Sequence, residues 1–193
     1  DDTYAAIGLL GGTLSADAVV KKRSFTSIPN ITYLMLDQIT VPTGRSLTIN
    51  KGVVIKSPNR SYQIIVEGNL TANATADSMI TFTSSKDDNH GNPNDTNKDG
   101  TITSPAKGDI GAIIFKAGST GTLNYCRIKY AQVYSFPFTT CSTTEYLNEA
   151  AVAMIDANPT ISNCEFKDLV YGISCYRASN PVISNNSMIN ISN

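Results

Sequence analysis

The residues best suited to chemistry form the run 95–101, which reads Asp-Thr-Asn-Lys-Asp-Gly-Thr. Side-chain oxygens recur at Asp95, Asn97 and Asp99, and the glycine that follows permits the sharp turn that brings such oxygens together. The Thr101 carbonyl occupies the seventh position, where calcium loops commonly supply a backbone ligand. Calcium takes about six to eight oxygen ligands at about 2.3–2.6 Å. The run therefore predicts a Ca²⁺ site.

The predicted calcium shell needs ligands from outside this run. The twelfth position, where calcium loops often carry a bidentate glutamate, is Ala106. We expect Asp109, Asp88 or Asp87 to complete the shell. A solvated polar turn without an ion is the alternative. Five aspartates between positions 87 and 109 favour an ion that neutralises them and pins the loop.

A repeated phrase indicates the elements that position this loop. Residues 158–166 read Asn-Pro-Thr-Ile-Ser-Asn-Cys-Glu-Phe, and residues 180–188 read Asn-Pro-Val-Ile-Ser-Asn-Asn-Ser-Met. The offset is 180 − 158 = 22 residues. So short a unit cannot bury an apolar face alone and needs a similar unit stacked on it. The repeat predicts a coil of parallel strands, each turn about 4.8 Å above the last.

Apolar segments earlier in the chain extend the same coil. No window has the sustained period of an amphipathic helix, so we expect an all-β chain. Alternating side chains place every second residue inside. The expected inward columns are Ile113, Val152 and Ile173, and Phe115, Met154 and Cys175.

Four cysteines are too few for a disulfide scaffold in a chain of 193 residues. Cys126 and Cys164 occupy equivalent places in successive turns of the coil, which predicts two stacked, buried thiols. A disulfide between them is the alternative, although parallel Cβ directions disfavour it. Cys141 falls in an insertion and Cys175 in a core strand, and neither has an evident partner.

Composition bounds the function. The charged fraction is 16%, against a typical value of about 25%, and the net charge is −1. No basic stripe with interleaved aromatic residues is present, which argues against nucleic-acid binding. No apolar run approaches the roughly 20 residues of a transmembrane helix.

The pattern divides the chain into a lead-in, cap or linker over residues 1–30 and a coil over residues 31–193. Insertions interrupt the coil at about 85–107 and about 132–148. The second insertion is aromatic, which favours rings packed on the coil wall or, alternatively, a platform that stacks on sugars. Its aromatic residues are Tyr134, Phe136, Phe138 and Tyr146.

Three stretches read L-T-I-N-K-G-V-V-I-K at 47–56, V-E-G-N-L-T-A at 66–72 and I-T-F-T-S at 80–84. They resemble bacterial secreted or cell-surface right-handed parallel β-helix proteins of the pectin-lyase-like superfold. The aspartates from 87 to 109 resemble the family's D-D…D-T-N-x-D-G…G-D-W loop. Ile110 replaces the family tryptophan, and residues 89–94 lengthen the loop.

This resemblance implies a right-handed parallel β-helix, a solenoid with two loop insertions. It also implies an extracellular structural or adhesive module of a larger bacterial surface or filament-forming protein, stabilised by Ca²⁺. The last residues, 187–193, are strand-like. We therefore expect the coil to continue beyond them, or to stack on neighbouring subunits through an open edge. Carbohydrate is a further candidate partner.

The rival hypothesis is an enzyme acting on polysaccharides, because the superfold also contains lyases and hydrolases. Residues 127–129, Arg-Ile-Lys, and His90-Gly91 resemble short motifs of polygalacturonases. A pectate-lyase-like reaction would place a calcium-bound uronate beside a basic residue, for which Lys107 and Lys116 are candidates. The required acids of neighbouring turns are not evident, so we expect a non-catalytic module.

Overall fold

The computed structural model describes residues 4–134 and 150–192, and these residues contain strands and turns but no helix. The strands in chain order are β1 (Ile7–Leu9), β2 (Gly12–Thr13), β3 (Ala18–Val20), β4 (Tyr33–Met35), β5 (Ile39–Val41), β6 (Ser46–Ile49), β7 (Val54–Ser57), β8 (Ile64–Val66), β9 (Asn69–Asn73), β10 (Ile80–Ser84), β11 (Ile110–Gly111), β12 (Ile113–Phe115), β13 (Thr120–Asn124), β14 (Cys126–Lys129), β15 (Ala131–Gln132), β16 (Ala150–Ile155), β17 (Thr160–Ser162), β18 (Glu165–Leu169), β19 (Tyr171–Tyr176), β20 (Val182–Ser184) and β21 (Ser187–Ile191).

These strands form three long sheets and one short pair. Sheet A has the order β1-β4-β7-β10-β14-β18-β21, sheet B the order β2-β5-β8-β12-β16-β19, and sheet C the order β3-β6-β9-β13-β17-β20. Strands β11 and β15 form the short pair. All pairs are parallel. The chain visits sheets A, B and C in turn, and we call each circuit a rung. This arrangement is consistent with a parallel β-solenoid.

The strand register confirms the stacking predicted from the repeat. Ile161 pairs with Ile183, so the two copies of the repeated phrase lie on adjacent rungs. The predicted inward columns also form, since residues 113, 152 and 173 are in register, as are 115, 154 and 175. The 22-residue repeat therefore correctly predicted which residues of neighbouring rungs are aligned.

One apolar core runs along the inside of the rungs. In β6 the inward Leu47 and Ile49 are buried while the intervening Thr48 is half-buried, which is the alternation expected of a strand with one inner face. Cys126 and Cys164 are both buried and free, and the Cys126 amide donates to the Cys164 sulfur at 3.4 Å. The prediction of two stacked thiols is therefore confirmed.

Asparagine side chains tie the rungs together where sheet C turns into sheet A. Asn163 and Asn185 adopt φ values of 54° and 55°, a left-handed conformation that asparagine tolerates well. Side-chain hydrogen bonds between asparagines run along the axis of the rungs. Asn163 Nδ2 donates to Asn124 Oδ1 at 2.8 Å, and Asn124 Nδ2 donates to Asn73 Oδ1 at 2.8 Å.

The two ends of the described solenoid differ from its middle. Within residues 1–30, strands β1 to β3 form a rung on β4 to β6. At the other end, β19, β20 and β21 are edge strands, and Ile183 and Met188 are 45% and 49% exposed. Cys175 was expected to be enclosed, but it is exposed because no described strand lies beyond β19.

The first insertion, between β10 and β11, lies along the outer face of sheet A. Its Thr96 carbonyl accepts the Ala5 amide at 2.9 Å, and its Asn92 carbonyl accepts the Thr32 amide at 3.1 Å. Ala5 precedes β1 and Thr32 precedes β4, so the insertion contacts two rungs that are distant from it in sequence. We call residues 85–109 the strap. Cys141 and most of the second insertion lie outside the described residues.

Candidate metal centre

Three carboxylates of the strap come together. Oxygen atoms of Asp88, Asp95 and Asp99 all lie within 4.8 Å of one another, close enough to surround one cation. All three side chains are only partly exposed to solvent. The strap therefore concentrates negative charge at one point, as expected from the run 95–101.

Backbone amides shape the turn that carries two of these acids. The Asp95 carboxylate accepts the Asp99 amide at 3.1 Å and the Gly100 amide at 3.0 Å. Lys98 and Gly100 adopt φ values of 56° and 68°. Such left-handed residues reverse the chain tightly, and glycine does so without steric cost. The Asp95 carboxylate thus holds the backbone of residues 99 and 100 close to itself.

Asn97 is oriented by the same turn. Its Nδ2 donates to Asp99 Oδ2 at 2.8 Å and to Thr103 Oγ1 at 3.2 Å, and Thr103 also donates to Asp99. Both amide protons of Asn97 are directed at these oxygens, so its carbonyl oxygen is available to bind a different group.

Three enclosed oxygens at this point have no hydrogen-bond partner among the described residues: Asp88 Oδ1, Asn97 Oδ1 and Asp99 Oδ1. Enclosed polar atoms without a partner are uncommon and costly. Carboxylate and amide oxygens are the ligands that hard cations such as Ca²⁺ prefer. The donor set therefore fits a calcium ion, with Asp95 contributing the third carboxylate.

The charges in the cluster also favour a bound cation. Burial and the neighbouring charge of Asp95 raise the pKa of Asp88 above its usual value, while Lys56 opposes the rise. Like charges held together in this manner disfavour full ionisation. A divalent cation would reverse this effect, because it attracts the ionised form of each acid.

Asp87 lies in a separate hydrogen-bond network. Its Oδ2 accepts the Thr83 hydroxyl at 2.6 Å, faces His90 Nδ1 at 2.9 Å and accepts Lys129 Nζ at 3.2 Å. Burial alone would raise the pKa of Asp87, but the hydrogen bonds from His90 and Thr83 and the charge of Lys129 hold it well below its usual range. The Asp87 carboxylate is therefore bonded to protein donors, and it does not belong to the acidic cluster.

Asp109, another predicted ligand, has protein partners of its own. Asp109 pairs with Lys86 at 3.2 Å and accepts the Ser84 hydroxyl at 3.1 Å and the Ala106 amide at 3.0 Å. Thr101 is exposed in the turn after the cluster. Of the acids expected to complete the shell, Asp88 is therefore the one that the fold brings to Asp95 and Asp99.

Lys56 lies beneath the cluster and was not singled out from the sequence. It is fully buried, and its Nζ donates to the carbonyls of Asp87 at 2.8 Å and Asn94 at 2.6 Å. Burial lowers the pKa of Lys56 to about 8, against the opposing attraction of Asp87, Asp88 and Asp95. Strand alternation predicts an outward side chain here, so only the position of the strap could have revealed the burial.

The basic residues considered for catalysis have other partners. Lys116 pairs with Glu67, and Lys107 contacts Ser192. Arg127 pairs with Glu165 at 3.0 Å on the neighbouring rung. His90 contacts Asp87, the residue that precedes Asp88 in the chain.

Of the four aromatic residues of the second insertion, Tyr134 lies within the described residues. Tyr134 is 42% exposed, and the Arg60 guanidinium lies 5.1 Å from the centre of its ring. Such a stack presents one aromatic face beside a positive charge. Phe136, Phe138 and Tyr146 lie outside the described residues, so the sugar-platform hypothesis stays a prediction.

No protein-family description, curated protein or solved structure matches this chain. The described residues also contain no apolar helix of membrane-spanning length. The sheet arrangement and the acidic cluster therefore provide the basis for a functional proposal.

Proposed function

We propose that this chain is a right-handed parallel β-helix module of an extracellular bacterial surface protein, and that Ca²⁺ bound by the strap stabilises it. The observation that carries the proposal is the convergence of Asp88, Asp95 and Asp99. Enclosed oxygens of Asp88, Asn97 and Asp99 there have no hydrogen-bond partner among the described residues. A bound ion would supply the missing partner and neutralise the acids.

The contacts of the strap support a structural role for the ion. In a solenoid each rung ordinarily contacts only its neighbours. The strap instead bonds to Ala5 and Thr32 before β1 and β4, to Lys56 on β7, and to Lys129 on β14. An ion that orders the strap would therefore hold several rungs at once.

The edge strands support a module that works by stacking. Val182, Ile183 and Met188 are 60%, 45% and 49% exposed on the last rung, beside backbone groups of an edge strand. Exposed apolar edges of this kind pair readily with further strands. We propose that further rungs of a longer chain, or neighbouring subunits, cover this edge, as expected of a structural or adhesive surface protein.

Calcium binding is tested by thermal unfolding of the chain with Ca²⁺ and with a chelator, alongside the Asp95→Asn variant. A ligand that binds only the folded state raises its stability by mass action. We expect Ca²⁺ to raise the Tm of the natural chain and to leave the Tm of the variant nearly unchanged. Equal melting curves in Ca²⁺ and chelator would refute the proposed role of the ion.

A polysaccharide lyase is the second candidate. The observation that favours a lyase is the contact between His90 and Asp87 at 2.9 Å. His90 follows Asp88 by two residues in the chain. A calcium-bound uronate beside His90 would meet a basic group oriented by a carboxylate. Incubation with polygalacturonate and measurement of unsaturated products by ultraviolet absorbance separates the two functions. Product formed by the natural chain but not by His90→Ala would establish the enzyme.

A further inference from the structure

We infer that Lys56 is the positioning residue of the proposed cation site, holding the two backbone segments that bear Asp88 and Asp95. The inference rests on the calcium site proposed above. Lys56 lies on β7 of sheet A, whereas the acids belong to the strap, so it would act on the ion through the backbone and not as a ligand.

The hydrogen bonds of Lys56 connect it to both segments. Its Nζ donates to the carbonyl of Asp87, which immediately precedes Asp88, and to the carbonyl of Asn94, which immediately precedes Asp95. One ammonium group therefore fixes the peptide planes from which two of the three clustered carboxylates project. Enclosed hydrogen bonds from a charged donor are strong and geometrically restrictive.

The strap is also shaped to pass closely over the Lys56 side chain. Gly91 lies between the two bonded carbonyls and has a φ of +109°. A Cβ at this position would lie 2.6 Å from Thr32 Oγ1 and 3.2 Å from Lys56 Cε. The glycine thus allows the strap backbone to approach the Lys56 side chain closely.

The positive charge of Lys56 allows a positioning effect on the Ca²⁺ affinity to be distinguished from a purely electrostatic one. By Coulomb's law, a positive charge near a cation site weakens cation binding, so its removal alone would strengthen binding. Positioning predicts the opposite, because the ligands lose their fixed arrangement when the two carbonyls are released. Loss of a group that orients metal ligands commonly weakens metal affinity by about 10–100-fold.

The test is titration calorimetry of Ca²⁺ with the natural chain, with Lys56→Met and with the matched control Lys86→Met. Methionine keeps an unbranched apolar side chain and removes the donor. Lys86 belongs to the same strap, but it is 38% exposed, and its Nζ pairs with Asp109 at 3.2 Å, whereas Lys56 donates to the two carbonyls. We expect the Kd to rise at least about tenfold in Lys56→Met and to stay near the natural value in Lys86→Met.

Amide hydrogen exchange on the same samples separates positioning from general destabilisation. Faster exchange confined to the strap, with the sheet amides unchanged, is the result expected for Lys56→Met. Natural Kd or tighter binding in Lys56→Met would overturn the role of Lys56 and leave the calcium site intact. Failure of the natural chain itself to bind Ca²⁺ would overturn both.

A second variant covers the case in which Lys56→Met does not fold. Gly91→Ala keeps the lysine but places a methyl group against Thr32 and the Lys56 stem. We expect weaker Ca²⁺ binding in this variant as well, because the strap must move away from the ammonium. Unchanged affinity in a folded Gly91→Ala chain would contradict the inference.

Discussion

The Nζ atom of Lys129 lies 3.2 Å from the Oδ2 atom of Asp87, and the two side chains are only 5% and 0% exposed. Lys129 belongs to β14, whereas Asp87 lies near the start of the strap. The carboxylate also meets Thr83 and His90, so its enclosed charge is well compensated. This pair attaches the strap to sheet A independently of any bound ion.

Breaking this pair should be strongly destabilising. We expect Asp87→Asn to lower the free energy of unfolding by about 3–5 kcal/mol, because the Lys129 charge would stay buried without its partner. Urea denaturation measures the change. The control is Lys86→Met, which removes a partly exposed pair with Asp109 and should cost less than about 1 kcal/mol. Similar losses in the two variants would contradict the role assigned to the buried pair.

The same carboxylate predicts a dependence of stability on pH. The pKa of Asp87 is lowered in the folded chain relative to its ordinary value of 3.8. Below that value the unfolded chain binds the proton while the folded chain does not, so acid favours unfolding. The Asp87 contribution is therefore present above the ordinary pKa and is lost as the pH falls toward the lowered one.

Denaturation in chelator from about pH 6 to about pH 3 measures this contribution as the difference between the natural chain and Asp87→Asn. We expect the difference to shrink as the pH falls. A difference that stays constant across this range would show that ionisation of Asp87 does not stabilise the fold.

Substitution of Ile161 tests the packing of the apolar core inside the rungs. It is fully buried in β17, between the rungs that carry Leu123 and Ile183. We expect Ile161→Ala to cost about 2–5 kcal/mol as a core truncation. Ile183→Ala is the matched control, since its side chain is 45% exposed on the last rung and should cost clearly less. A change below about 0.5 kcal/mol for Ile161→Ala would argue against its inward position.

The sequence predicted the rungs well because the 22-residue repeat and strand alternation are local signals. Residues 161 and 183 could be aligned by their phrases alone, and the structure pairs them. Exposure on the last rung was harder to anticipate at Cys175, because burial there depends on whether a strand lies beyond it. Local pattern fixes where a side chain points, but not what covers it.

The grouping of the acidic residues could be predicted only in part, and the reason is geometric. Spacing within the run 95–101 identifies ligands that one turn brings together, and Asp95 and Asp99 are indeed adjacent. Spacing could not choose among Asp87, Asp88 and Asp109, because that choice depends on the path of the strap over sheet A. Lys56 was missed for the same reason, since its burial arises from a segment about 31 to 38 residues later in the chain.

The most direct test of the account is the Tm of the natural chain and of Asp95→Asn, each measured in Ca²⁺ and in chelator. The natural chain should melt at a higher temperature in Ca²⁺ than in chelator, because an ion that binds the folded strap, as proposed, stabilises the folded state. The variant should show little difference, since it lacks one of the three clustered carboxylates. No effect of Ca²⁺ on the natural chain, or an equal effect on both chains, would contradict a calcium-stabilised solenoid.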